Sequence, residues 1–94
     1  MNSTSGWTFI TNHALILSYM FHKPSSRVRE IADHVGITER STHKIISDLA
    51  MEGYLIRTKK GNRNTYRIEP DLPLRHHTKE DIMVSDLIEA LTSK

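Results

Sequence analysis

A chain of 94 residues has room for one domain around one modest core, and it contains no cysteine. The cysteine count excludes disulfides, thiolate metal sites and thiol redox sensing, and so small a core favours a binding surface over a deep catalytic pocket. The formal net charge of +2 conceals an uneven spread: residues 22–67 hold ten Lys and Arg against five Asp and Glu, while residues 68–94 hold three against six. The basic excess therefore sits mid-chain, where a polyanion would attach.

Residues 1–21 carry no Lys or Arg, so the basic start of a secretory signal is missing. The apolar stretch 10–21 is broken by Thr11, Asn12, His13 and Ser18 and is too short to span a bilayer. These features lead us to expect a cytoplasmic protein with no membrane partner.

Small polar residues at the start read as a flexible lead-in over 1–7. A first helix is expected over 8–22. Phe9, Ile10, Ala14, Leu15, Ile16, Leu17, Tyr19, Met20 and Phe21 lie on nearly every face of it, and Pro24 stops it. A helix apolar all round must be covered on more than one side, which points to a second subunit. Trp7 and Tyr54 read as core or hinge aromatics.

Ser25 and Ser26 are cap candidates for a short second helix, 28–34, whose inner side is Val28, Ile31, Ala32 and Val35. The three-residue turn Val35-Gly36-Ile37 follows, with Gly36 free to adopt positive φ. Thr38 then caps a third helix, about 38–52, in which Thr42, Ile45, Ile46 and Leu49 recur at i, i+3, i+4 and i+7. Gly53 ends it.

Two β-prone runs, 54–58 and 65–68, flank the turn-rich segment 59–64 and read as a hairpin. A proline-containing connector, 70–77, separates this hairpin from a last helix over 78–92. Thr78 and Asp81 approximate its capping box, and Ile82, Met83, Val84, Leu87, Ile88 and Leu91 supply its apolar face.

The order helix, helix, three-residue turn, helix, basic hairpin carries more information than any single element. Ala32 is small where the second and third helices cross, and Gly36 follows four residues later, which is the core spacing of a helix-turn-helix. The hairpin is then a wing. The fold class expected is mainly α with a small β-hairpin: a winged helix-turn-helix over 8–69 with an added C-terminal helix.

With Thr42, Ile45, Ile46 and Leu49 turned inward, the third helix presents Arg40, Ser41, His43, Lys44 and Ser47, with Thr38 at its start. Arg and Lys can donate to guanine edges, and His and Ser can reach bases or phosphates. Lys59, Lys60 and Arg63, with Asn64, place cations around the wing, suited to the backbone or the minor groove. Arg27 and Arg29 open the helix that crosses the backbone in such folds. The bland reading of each set is a solvated face or a lysine-guarded sheet edge.

The segments Val28-Arg29-Glu30-Ile31-Ala32, Gly36-Ile37-Thr38-Glu39-Arg40, Ile45-Ile46-Ser47-Asp48-Leu49 and Glu52-Gly53-Tyr54-Leu55 resemble MarR-like winged-helix transcriptional regulators. The chain is similar in particular to short stand-alone members. These join a Thr11-Asn12-His13-Ala14-Leu15 helix to the strand 62–68 and the connector 71–76. Arg27 departs from the pattern, where such proteins usually place Thr. The resemblance implies a regulator that binds double-stranded DNA. We expect it to act as a homodimer through the first and last helices, and no effector is identified. The alternative from another class is a winged-helix protein-interaction module without base readout.

Six histidines raise the question of a metal. His76 and His77 are adjacent, while His13, His22, His34 and His43 are spread over three helices, and no pair has the spacing of ligands with a carboxylate partner. His13 is expected to satisfy a hydrogen bond. No cofactor, metal or catalytic set is expected.

Overall fold

The computed structural model describes residues 7–92 and orders them as α1 (Asn12–His22), α2 (Val28–Val35), α3 (Glu39–Met51), β1 (Leu55–Lys60), β2 (Arg63–Ile68) and α4 (Val84–Leu91). Residues 1–6 of the expected lead-in lie outside the described residues. The antiparallel hairpin β1–β2 pairs Leu55 with Ile68 at its base and Lys60 with Arg63 at its tip.

One core joins every element. Ile16, Leu17 and Met20 of α1 meet Ile31 of α2, and Ile45, Ile46 and Leu49 of α3. Leu55, Tyr66 and Ile68 close it from the hairpin, and Val84 and Ile88 close it from α4. Each such aliphatic side chain contributes about 1.5–3 kcal/mol by leaving water, so this shared cluster ties the fold together.

The helix starts are decided by which side chain captures the free N–H groups of the first turn. Thr11 Oγ1 accepts from the Ala14 N–H at 3.1 Å, so α1 begins at Asn12 and not at Thr8. Thr8 is engaged elsewhere, donating to the Ile10 carbonyl at 2.6 Å. Trp7 is 58% exposed and packs edge-on against Phe9, so it is not a core aromatic. At α2 neither Ser25 nor Ser26 caps. Arg27 takes the N-cap position, and Glu30 reaches back to accept its N–H at 2.8 Å.

The turn between α2 and α3 follows the sequence closely. Gly36 adopts φ of 88°, and the N–H groups of Gly36 and Ile37 both donate to the Ala32 carbonyl, at 2.8 and 3.1 Å. A left-handed residue here lets the backbone reverse while it satisfies the last carbonyls of α2. Thr38 Oγ1 accepts from the Ser41 N–H at 3.0 Å and opens α3.

The C-terminal region departs from the expected layout. Thr78 and Asp81 do not open a helix; Thr78 instead bonds the His76 ring, and α4 starts at Val84 behind Met83. Asp86 accepts the Met83 N–H at 3.0 Å, a later carboxylate doing the work assigned to Asp81. The connector brings the last helix back to the domain. The Leu74 N–H donates to the Ile82 carbonyl and the Val84 N–H to the Leu72 carbonyl, both at 2.8 Å, which folds 72–74 against 82–84. This returns α4 to α1, where Val84 and Ile88 are buried. The six elements therefore pack around one core. None of the described helices is long and apolar enough to cross a membrane.

Candidate nucleic-acid interface

The apolar stripe of α3 fixes what its opposite side offers. Thr42, Ile45, Ile46 and Leu49 are buried, which leaves Arg40, Ser41, His43, Lys44 and Ser47 exposed along one side of the helix. Thr38 is occupied as a cap, and its hydroxyl also donates to Ser41 Oγ at 3.0 Å. It therefore serves the start of the helix first.

The strands of the wing are longer than its sequence suggests. Lys59, Lys60, Arg63 and Asn64 lie within the two strands, and only Gly61 and Asn62 form the turn. Gly61 has φ of 61° and no other residue of the turn has positive φ, the pattern of a type II′ turn, whose twist matches that of paired strands. Extended pairing carries the cations to the tip in fixed register. Lys60 faces Arg63 across the strands, a like-charge pair that favours an anion nearby.

Two clefts flank this surface. A polar one of about 580 Å³ lies between the start of α2 and the wing, bordered by Arg27, Val28, Asn62, Arg63, Asn64 and Tyr66. Its geometry is held by the Tyr66 N–H, which donates to the Pro24 carbonyl at 2.9 Å and so pins β2 to the loop before α2. Tyr66 carried no functional signal in the sequence, because a tyrosine in a strand reads as core. The second, about 610 Å³, lies behind α3 between α1, α4 and the connector, with Ala14, Leu17, Leu49 and Leu87 in its lining and Asp48, Glu52 and Arg75 among its polar groups.

Ion pairing sorts the candidate cations. Arg29 sits 3.8 Å from Glu39, and Lys44 sits 3.3 Å from Asp48. Arg27, Arg40, Lys59, Lys60 and Arg63 make no ion pair with another described residue. Asp48 also accepts from His13 Nε2 at 2.9 Å, so His13 satisfies its bond within the chain and ties α1 to α3. The hydrogen bond from His13, followed by that from Lys44, holds the Asp48 carboxyl below its ordinary value. Among the described residues no three His, Asp or Glu side chains cluster as a metal site would need.

A helix pair turning at Gly36, an exposed third helix and a pinned basic hairpin are a known combination. The fold is a winged helix-turn-helix. Solved structures with the same architecture include PcaV, a transcriptional regulator from Streptomyces coelicolor (TM-score 0.55, 19% identity, covering 63% of this chain and 46% of PcaV). They also include MepR, a transcription regulator of the Staphylococcus aureus multidrug efflux pump MepA (0.59, 13% identity, 85% and 53%). A third is AdcR, a zinc-dependent MarR-family transcriptional regulator (0.54, 15% identity, 95% and 55%). The chain spans about half the length of each of these regulators. No protein-family model matches the chain, and no curated protein matches it.

Proposed function

We propose that this protein is a sequence-specific transcriptional regulator that binds double-stranded DNA, with α3 in the major groove and the wing on the adjoining backbone or minor groove. The observation that carries this reading is the unpaired positive charge: Arg40 on α3, with Lys59, Lys60 and Arg63 on the wing, have no carboxylate partner among the described residues. Cations left unpaired beside an exposed helix suit a polyanion, and they oppose a docking surface built from apolar or acidic groups. The regulators with which the chain shares its fold support the same role.

On α3, Arg40, Ser41, His43, Lys44 and Ser47 are the residues that face the groove in this reading. Arg27 and Arg29 at the start of α2 meet phosphates, as Lys59, Lys60, Arg63 and Asn64 of the wing do. The domain measures 39 × 33 × 27 Å, so a single copy covers about one half-site. A homodimer would place two α3 helices roughly 34 Å apart and select an inverted repeat. No catalytic role is assigned.

The test is selection from a random-sequence duplex pool, followed by binding measurements on the enriched sequence. The wild-type chain is expected to enrich a defined motif. Arg40→Ala with Lys44→Ala is expected to weaken binding to it by about 1–3 kcal/mol for each side chain that reads a base. Both residues are exposed, so circular dichroism should be unchanged. Failure of the wild type to enrich any sequence, or undiminished binding by the double variant, would refute base readout by α3.

A further inference from the structure

We infer that the polar cleft between α2 and the wing is a phosphate clamp for the DNA backbone, and that Tyr66 is one of its binding groups. This rests on the DNA-binding reading above and adds a site and a residue to it. Tyr66 is only 4% exposed, yet its hydroxyl has no hydrogen-bond partner among the described residues. No sealed side-chain oxygen or nitrogen there lacks a partner, so this hydroxyl must reach solvent, and the cleft is the opening that Tyr66 borders. A phenol whose ring is buried and whose hydroxyl reaches solvent without a protein partner keeps a donor free for an acceptor from outside.

The surroundings specify that acceptor's charge. Arg27 and Arg63 border the cleft from its two sides, and neither is paired with a described carboxylate. Glu30 accepts the Arg27 N–H at 2.8 Å and so already caps the positive end of α2, which leaves the two guanidiniums as the positive charge of the cleft. Guanidinium groups and a phenol together suit a phosphodiester. The Tyr66–Pro24 backbone bond holds the two walls in place before DNA arrives, which lowers the ordering cost of binding. A free phosphate ester offers the same chemistry, so the experiment separates the two sources.

Binding to a short mixed-sequence DNA duplex, followed across salt concentration, isolates phosphate contacts from base readout. Tyr66→Phe keeps the ring in the core and removes only the hydroxyl. It is expected to lower duplex affinity roughly ten- to hundredfold with an unchanged salt slope, as for one hydrogen bond to a charged group lost from a neutral donor. Arg27→Gln with Arg63→Gln is expected to lower affinity further and to reduce the slope by about one for each arginine. Amide NMR shifts on titrating wild type with the duplex should include Arg27, Val28 and Tyr66, which keeps the test open if a variant folds poorly.

Unchanged affinity and slope in both cleft variants, with Arg40→Ala/Lys44→Ala weakened on the selected sequence, overturns the clamp and leaves the recognition helix standing. Weakening by the cleft variants on the mixed duplex, with Arg40→Ala/Lys44→Ala undiminished on the selected sequence, upholds the clamp and removes the α3 reading. Saturable shifts at these amides with adenosine monophosphate or inorganic phosphate, but none with the duplex, overturn the clamp in favour of a free anion. A wild-type chain that binds no duplex removes both readings.

Discussion

At the scale of single residues, Asp48 links the folding of the domain to its binding face. Its two oxygens accept from His13 on α1 and Lys44 on α3, so one carboxylate ties a core helix to a residue offered to DNA. These bonds depress its folded pKa, and the bond from His13 contributes most. A depressed carboxylate pKa stabilises the fold at pH above the unfolded value, and that contribution disappears as pH falls through the folded one. Wild type is therefore expected to exceed Asp48→Asn in urea stability near neutral pH. The difference should close below 3.8, the ordinary value for this group. Because Asp48 lies at the surface, the difference should be small. Parallel pH profiles for the two proteins would show that Asp48 contributes no stability through its charge.

At the scale of elements, the wing departs furthest from a flexible basic loop. Strands of six residues each hold Lys59, Lys60 and Arg63 in register around a two-residue turn. Most of β1 contributes nothing to the core, since only Leu55 is buried in it. A hairpin that extends beyond the packing it needs, with like charges paired at its tip, suits contact with an anion. Changing Lys59, Lys60 and Arg63 together to Gln is expected to weaken binding to all duplexes alike and to flatten the dependence of affinity on salt. The melting temperature should hold, because all three side chains are exposed. A salt slope equal to that of wild type would show that the wing stays off the DNA.

At the scale of the whole molecule, the question is which apolar surface is left over. α4 does not hold its apolar residues in reserve for a second copy: Val84 and Ile88 are buried against the domain, and Leu87 and Leu91 are half-buried. Of the large apolar side chains left exposed, Phe9 at 89%, Trp7 at 58%, Phe21 at 44% and Leu15 at 36% belong to α1 and the segment before it, while Met51 of α3, Ile56 of β1 and Met83 before α4 are scattered singly. A homodimer is thus expected to form around α1, its approach and the exposed edge of α4, as a self-complementary contact about a two-fold axis. Light scattering at micromolar concentration should give twice the chain mass for wild type. It should give the chain mass for Phe9→Ser with Phe21→Gln. A monomeric wild type would remove the dimer and the inverted-repeat operator with it.

The helix-turn-helix was legible in the sequence because its signals are local. The i, i+3, i+4, i+7 stripe of α3, Thr38 before it, Gly36 behind α2 and Gly53 after α3 each act within one or two helical turns, and the structure carries all four. Once that stripe was placed, the exposed residues of α3 followed from helical geometry. The sequence was ambiguous wherever two local partners competed. Thr11 captured the start of α1 ahead of Thr8, Glu30 served α2 where Ser25 and Ser26 were expected, and Asp86 served α4 in place of Asp81. Each winning cap is itself a local bond between residues three apart, so the sequence held every candidate without ranking them. Tertiary structure alone returned α4 to α1, through backbone bonds between 72–74 and 82–84 that no side-chain pattern encodes. The cleft that Tyr66 shares with Arg27 and Arg63 is of the same kind: it depends on residues nearly forty positions apart being brought together, with the Tyr66 N–H bonded to the Pro24 carbonyl.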